Sequence, residues 1–253
     1  MAKMLVRHNK ILELLTENKK IEVVKLSKLL NVSQVTIRKD LIFLEQRGLV
    51  IREHGFATLN LSDDLNKRLA YHYETKERIA KLANNLVDDG ETIMIESGSC
   101  CALFAREVAQ TKKNITIITN SAFIADYIRK FSKIKIILLG GEYQHESQVM
   151  VGPITKKCVE TFFVDKLFIG TDGFSKESGF TAKDYMRSET VRDMAKQANN
   201  VIIITESAKF FQKGIVRLIE TDNINSVITD EKIPNEFEEY LLSKNINIKK
   251  VSN

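Results

Sequence analysis

Apolar residues recur at helical spacing in two early stretches, first as Ile11, Leu12, Leu14 and Leu15, then as Val23, Val24, Leu26, Leu29 and Leu30. Each stripe predicts a helix with one face turned to a core. A third helix follows the turn Asn31-Val32. Ser33 offers an N-cap oxygen to its free amides, Ile37, Leu41 and Leu44 face inward, and Gly48 suits its C-terminal stop. Leu49 to Arg52 and Ala57 to Leu61 then read as two short strands joined around Gly55. The pattern is helix, helix, turn, helix, wing.

Polar, turn-like residues Ser62 to Asn66 mark a boundary, and a further helix is predicted through Ile79, Leu82 and Leu86. Beyond Gly90 the pattern changes. Short apolar runs (Thr92 to Ile95, Ile115 to Ile118, Ile134 to Leu139, Lys166 to Ile169, Val201 to Ile204, Ser226 to Ile228) alternate with helical stretches. Such alternation predicts an α/β domain, a mostly parallel sheet covered by helices on both faces. The expected organisation is a small winged helix-turn-helix domain over 1–61, a linker and bridging helix over 62–89, and a larger α/β domain over 90–253.

Length and composition agree with two ordinary globular domains: 253 residues, 43% hydrophobic and 28% charged. Charge adds something the pattern does not. The net +5 is confined to residues 1–60, which hold 11 Lys and Arg against 6 Asp and Glu, while the remainder is balanced at 27 against 27. A small basic module on a neutral body is the footprint of a domain that meets a polyanion. No apolar run approaches the ~20 residues that span a bilayer, so no membrane partner is expected and the cytoplasm is the expected location. Three cysteines, Cys100, Cys101 and Cys158, are an odd set with two adjacent, which writes neither a disulfide framework nor a metal pair. His8, His54, His72 and His145 show no metal-ligand spacing, and no phosphate-binding P-loop or serine-hydrolase elbow is present. No cofactor is expected.

On the third helix Gln34, Thr36, Arg38 and Lys39, beside the capping Ser33, are early residues left outside the apolar stripe. A helix reads bases with its N-terminal end in the major groove, where Gln34 suits adenine and Arg38 suits guanine. Lys39, Arg47, Arg52 and His54 suit backbone phosphates, whose contribution fades with salt. Residues 32–57, VSQVTIRKDLIFLEQRGLVIREHGFA, closely resemble the winged helix-turn-helix signature of the DeoR family of bacterial transcriptional regulators. One departure is visible: the family's wing carries two glycines, and this chain has Gly55-Phe56. The resemblance implies double-stranded operator DNA as partner, a repressor's role, and assembly as a dimer or tetramer.

In the larger domain the first strand runs into Glu96-Ser97-Gly98-Ser99-Cys100 and then a helix, placing hydroxyls and free amides at a helix N-terminus, where an anion is the natural guest. Other strand-end loops add Thr119-Asn120-Ser121, Gly140-Gly141, Gly170-Thr171-Asp172-Gly173 and Lys209. In an open parallel sheet such loops line the ligand crevice. The resemblance continues here: the family's sensor domain is similar to sugar-phosphate isomerase folds, and its motifs fall on Glu96 to Cys100, Thr119 to Ser121, Leu139 to Gly141 and Glu206 to Phe210. It implies a phosphorylated sugar or polyol as effector. Cys100 replaces a usual Thr, Glu96 and Glu206 replace Asp, and Gln144 is neutral where members often carry a basic residue.

An isomerase fused to a DNA-binding module is the competing reading, with Glu189 as its proton-transferring base. Similar isomerases place a lysine and a glycine-rich loop just before that glutamate, whereas Phe180 to Ser188 contain no glycine. They also follow Asp-Gly with a second aspartate, where this chain continues Asp172-Gly173 with Phe174 and Ser175. The set is incomplete, and no enzyme activity is expected.

Overall fold

The computed structural model describes residues 2–46, 49–59 and 68–252. Gly48, Arg47 and the boundary Ser62 to Asn66 lie outside these. The chain divides into two compact units, Met1–Glu74 and Thr75–Asn253.

The first unit runs α1 (Ala2–Asn18), β1 (Lys20–Glu22), α2 (Val23–Leu29), α3 (Gln34–Gln46), β2 (Val50–Glu53) and β3 (Phe56–Leu59). Ile11, Leu12, Leu15, Leu26, Ile37, Leu41 and Leu44 are buried, so three helices share one core. The second stripe is narrower than its spacing predicts: Val23 and Leu26 face inward, while Val24 and Leu29 are exposed. α2 closes because Asn31 takes a left-handed φ of 51°, letting Val32 N donate to Ser27 O at 3.1 Å and Asn31 N to Lys28 O at 3.3 Å. Asparagine tolerates that conformation, and the turn between α2 and α3 follows from it. The wing holds a strand the pattern did not predict. β1 pairs antiparallel with β3, giving the order β1-β3-β2.

The second unit is built on seven strands, β4 (Thr92–Ile95), β5 (Thr116–Thr119), β6 (Lys135–Leu138), β9 (Val164–Ile169), β12 (Ala198–Ile204), β14 (Ser226–Asp230) and β15 (Asn247–Val251). All their pairings are parallel, in the order β15-β14-β12-β9-β4-β5-β6. Six of the seven match the predicted runs; β15, at one edge, does not. Two small antiparallel excursions were also not predicted. One is the hairpin β7 (Glu142–Gln144) and β8 (Val149–Val151); the other joins β10 (Gly173–Ser175), β11 (Gly179–Ala182) and β13 (Val216–Ile219). Burial of Met94, Ile118, Leu167, Ile169, Ile203 and Val227 under side chains such as Val159, Val191, Met194 and Leu241 holds the sheet to its helices.

The strand order contains a switch point. From β4 the chain builds one way through β5 and β6, then returns to place β9 on the other side of β4. The carboxyl ends of β4 and β9 are therefore the switch point, where loops diverge and leave a crevice.

Candidate functional site

In the first unit Ser33 opens α3. Its Oγ accepts from Thr36 N at 3.2 Å and lies 2.9 Å from Thr36 Oγ1, and its carbonyl accepts from Ile37 N at 3.1 Å. The two hydroxyls thus bond each other, and Thr36 is half-buried. Gln34, Arg38 and Lys39 are exposed on the same helix. The buried Asp40 ties α3 to α1: Arg7 donates to it through Nε at 2.5 Å and Nη2 at 2.9 Å, and His8 Nε2 lies 2.9 Å from its Oδ1. His8 also packs on Phe43 with ring centroids 4.6 Å apart. The hydrogen bond from Arg7 to Asp40 raises the Arg7 pKa above its ordinary value, against the opposing pull of burial.

The wing turns on His54 and Gly55, and Gly55 takes φ +80°, a conformation that favours glycine. Phe56 is already in β3, paired with Glu53 and Glu22, so the absent second glycine requires no unusual backbone here. The Phe56 ring lies 4.9 Å from Lys20 Nζ. Arg52 is held by Glu45 on α3, donating through N at 3.2 Å and Nε at 2.7 Å, and this hydrogen bonding keeps the Glu45 carboxyl below its ordinary range. An open cleft of about 360 Å³ between α3 and the wing brings Arg38, Arg52 and His54 together.

At the switch point of the second unit, helix Ser99–Thr111 starts from Gly98 with φ 120° and ψ 161°, and no side chain caps its first turn. The backbone there, not crowding, demands glycine, because a Cβ would meet nothing within 4 Å. Ser97, Ser99 and Cys100 are nearly buried around it. Glu96, fully buried, uses one oxygen: Oε1 accepts from Ser97 Oγ at 2.6 Å and from Arg187 Nε and Nη2 at 3.4 and 3.3 Å. Its Oε2 is buried without a hydrogen-bond partner. Asp172, at the end of β9, accepts from Lys183 N at 3.1 Å and lies 3.7 Å from Arg187 Nη1. Arg187 therefore bridges the two strand ends that flank the crevice. Burial works against its charge, but the carboxylates of Glu96 and Asp172 outweigh that and hold its pKa above the ordinary value.

The other expected residues divide by what they do. Thr119 accepts from Ser121 N at 3.1 Å, and Ser121 caps helix Ala122–Ile128 through Ile124 N at 3.2 Å, so both hydroxyls serve the local backbone. Asn120 donates to Met150 O at 3.1 Å, leaving its buried Oδ1 without a partner. Gly141 and Gly173 are sites of close approach: a Cβ would stand 1.9 Å from Thr155 Oγ1 in the first case and 2.4 Å from Gln212 O in the second. Gly140 is exposed and its carbonyl accepts from Thr155 Oγ1 at 2.8 Å. Lys209, half-buried, reaches Gln212 Oε1 at 3.3 Å. Glu206 at the end of β12 is buried against Lys76, 3.8 Å away. Gln144 donates to Asp184 Oδ1 at 3.2 Å, and Asp184 in turn caps the helix that carries Arg187.

Sequence reasoning missed Arg187, Lys76, Arg7 and His8. A signal existed for the first two: Arg187 shares helix Tyr185–Ala195 with buried Val191 and Met194 at i+4 and i+7, and Lys76 shares helix Tyr73–Asn84 with buried Ile79, Ala80 and Ala83. A cation on an apolar stripe is buried by its helix and calls for a partner. Glu189, the position of an isomerase base, is exposed and ion-paired with Arg192. Among the described residues no helix is long and apolar enough to cross a membrane, and no cluster of His, Cys, Asp and Glu could hold a metal.

Comparison with known proteins agrees with this arrangement. Residues 7–63 match the family model described as DeoR-like helix-turn-helix domain, and residues 71–231 match the DeoR C terminal sensor domain. The chain is 33% identical over 231 residues to the HTH-type transcriptional regulator GolR of Listeria innocua serovar 6a, covering 90% of this chain and 91% of the relative. It is 28% identical to the putative aga operon transcriptional repressor of Escherichia coli O157:H7, over 90% and 87% of the two chains. It is 27% identical to the glycerol-3-phosphate regulon repressor of Escherichia coli strain K12, over 90% and 91%. These relatives are named as regulators, not enzymes, and the chain belongs to the DeoR family of transcriptional regulators.

Proposed function

We propose that the chain represses a carbohydrate-uptake or catabolic operon, and that a phosphorylated sugar or polyol bound at the switch-point crevice changes its affinity for operator DNA. The observation that carries the effector site is the uncapped start of helix Ser99–Thr111 at Gly98, whose amides and dipole favour an anion. Ser97, Ser99 and Cys100 surround that anion, Lys209 approaches it, and Glu96, Asn120 and Asp172 face the rest of the ligand. The repressor names of the aga operon and glycerol-3-phosphate regulon relatives support the class of effector and the sign of regulation. A second copy of the chain is the expected partner, since one winged helix covers too few base pairs to be selective in a genome.

A thermal-shift screen against phosphorylated sugars and polyols tests the effector. A ligand at 100 times its dissociation constant stabilises the protein by about 2.7 kcal/mol. Replacing Ser99 and Lys209 together with Ala should abolish that shift and leave DNA binding intact. An unchanged shift would move the pocket elsewhere.

On DNA, Gln34 and Arg38 read base edges, while Lys39, Arg47 and His54 contact phosphates; Arg52 joins them only by sharing donors with Glu45. Arg38→Ala should cost about 1–3 kcal/mol on a specific operator and much less on random duplex. Competition binding measures both, and equal weakening on all sequences would reassign Arg38 to the backbone.

A further inference from the structure

An apolar side chain stands on α3 where the polar reading surface is expected. With Ile37, Leu41 and Leu44 buried, a rotation of about 100° per residue puts Val35 and Lys39 almost opposite the core. Val35, Arg38, Lys39 and Ile42 then follow at i, i+3, i+4 and i+7, one stripe along the outward face. Val35 is 60% exposed and Ile42 38%. Val35 is the second residue of the helix, in the turn that Ser33 caps. In a helix-turn-helix unit that first turn is the part that meets base edges.

We propose that Val35 is a base-reading residue, its side chain packing against the C5-methyl group of a thymine in the major groove. This rests on the reading of α3 as the groove-entering helix. A valine has neither donor nor acceptor, so it cannot read the hydrogen-bonding pattern of a base edge. The apolar feature that the major groove offers among its donors and acceptors is the thymine methyl. Val35 is exposed, at a position where alanine is the better helix former. Gln34 precedes Val35 and Arg38 follows it at i+3, so adenine, thymine and guanine contacts lie within about one turn of helix. Specificity at that point of the operator then comes from contact area, in contrast to the salt-sensitive phosphate contacts of Lys39.

The test uses the full chain and a duplex it selects from a random library. Each thymine of the selected site is replaced in turn by deoxyuridine, which lacks only the methyl group, and affinity is measured by anisotropy for the wild type and Val35→Ala. The wild type should lose about fourfold at one thymine per half-site, the equivalent of one buried methyl group at ~0.8 kcal/mol. In Val35→Ala that loss should disappear, with other thymine positions unchanged. Indifference to uracil at every position overturns the proposal, as does the same loss in the variant. A variant that alters self-association but not the uracil profile assigns Val35 to contact between copies and also overturns it. Failure to enrich any sequence would instead overturn the DNA-binding reading itself.

Discussion

Replacing Arg187 with methionine should destabilise the C-terminal unit by about 3–5 kcal/mol, because it removes the buried cation that Glu96 and Asp172 share. Glu96 is fully buried and Asp172 is 6% exposed, so neither can recover the lost interaction from water. Glu96 would keep the hydrogen bond from Ser97 Oγ and Asp172 that from Lys183 N, and a neutral donor does not replace the charge of a guanidinium. At ~2–4 °C per kcal/mol for a unit of this size, the melting temperature should fall by on the order of 10 °C. Calorimetry on the full chain measures it. A fall of about 1 kcal/mol or less, the range of a surface pair, would mean that the bridge is solvated and does not hold the crevice. Arg187→Met/Glu96→Gln should recover part of the loss, since the fully buried carboxylate of Glu96 is then neutral.

Asp40→Ala should have a comparable effect on the N-terminal unit and a different functional result. Asp40 receives two guanidinium donors from Arg7 and contacts His8, so it is the polar tie between α1 and the reading helix. Its removal takes the carboxylate from the half-buried Arg7 and from the buried His8, at a cost of about 3 kcal/mol or more. A unit of 74 residues has little to lose, on the order of 4–11 kcal/mol in total. DNA binding should therefore fall steeply, while the melting of the C-terminal unit and its response to ligand stay as they were. Retained operator affinity would show that Leu41, Leu44 and Ile37 position α3 without this tie.

The parts of the fold that were legible are those in which burial leaves a run. β4, β5, β9, β12 and β14 each lie between two neighbours in a parallel sheet, and strands buried on both faces read as continuous apolar segments; β6, an edge strand, is legible because it still carries the apolar run Ile136 to Leu138. β15 is the other edge, and Asn247, Lys249 and Lys250 interrupt its apolar residues, so no run forms. β1 is a three-residue strand immediately before α2, and its Lys-Ile-Glu alternation is too short to separate from the stripe that follows. The reading helix was legible from Ser33 and the spacing of Ile37, Leu41 and Leu44. The strand-end loops at the switch point were legible, but not the charge balance between them. Arg187 and Lys76 were not singled out, and only the fold brings Glu96 and Asp172, 76 positions apart in the chain, to one guanidinium. Gly141 and Gly173 looked like ligand-facing glycines, and the structure gives both a packing reason.

The two units are useful to a repressor only if occupancy of one changes the other. The most direct measurement is the affinity of the full chain for its selected operator, with and without a saturating sugar phosphate that has been shown to stabilise it. Coupling of ~1–3 kcal/mol predicts an affinity change of about 5- to 150-fold, lost when Ser99 and Lys209 are both Ala. Superimposable binding curves, with the ligand bound throughout, would contradict the account.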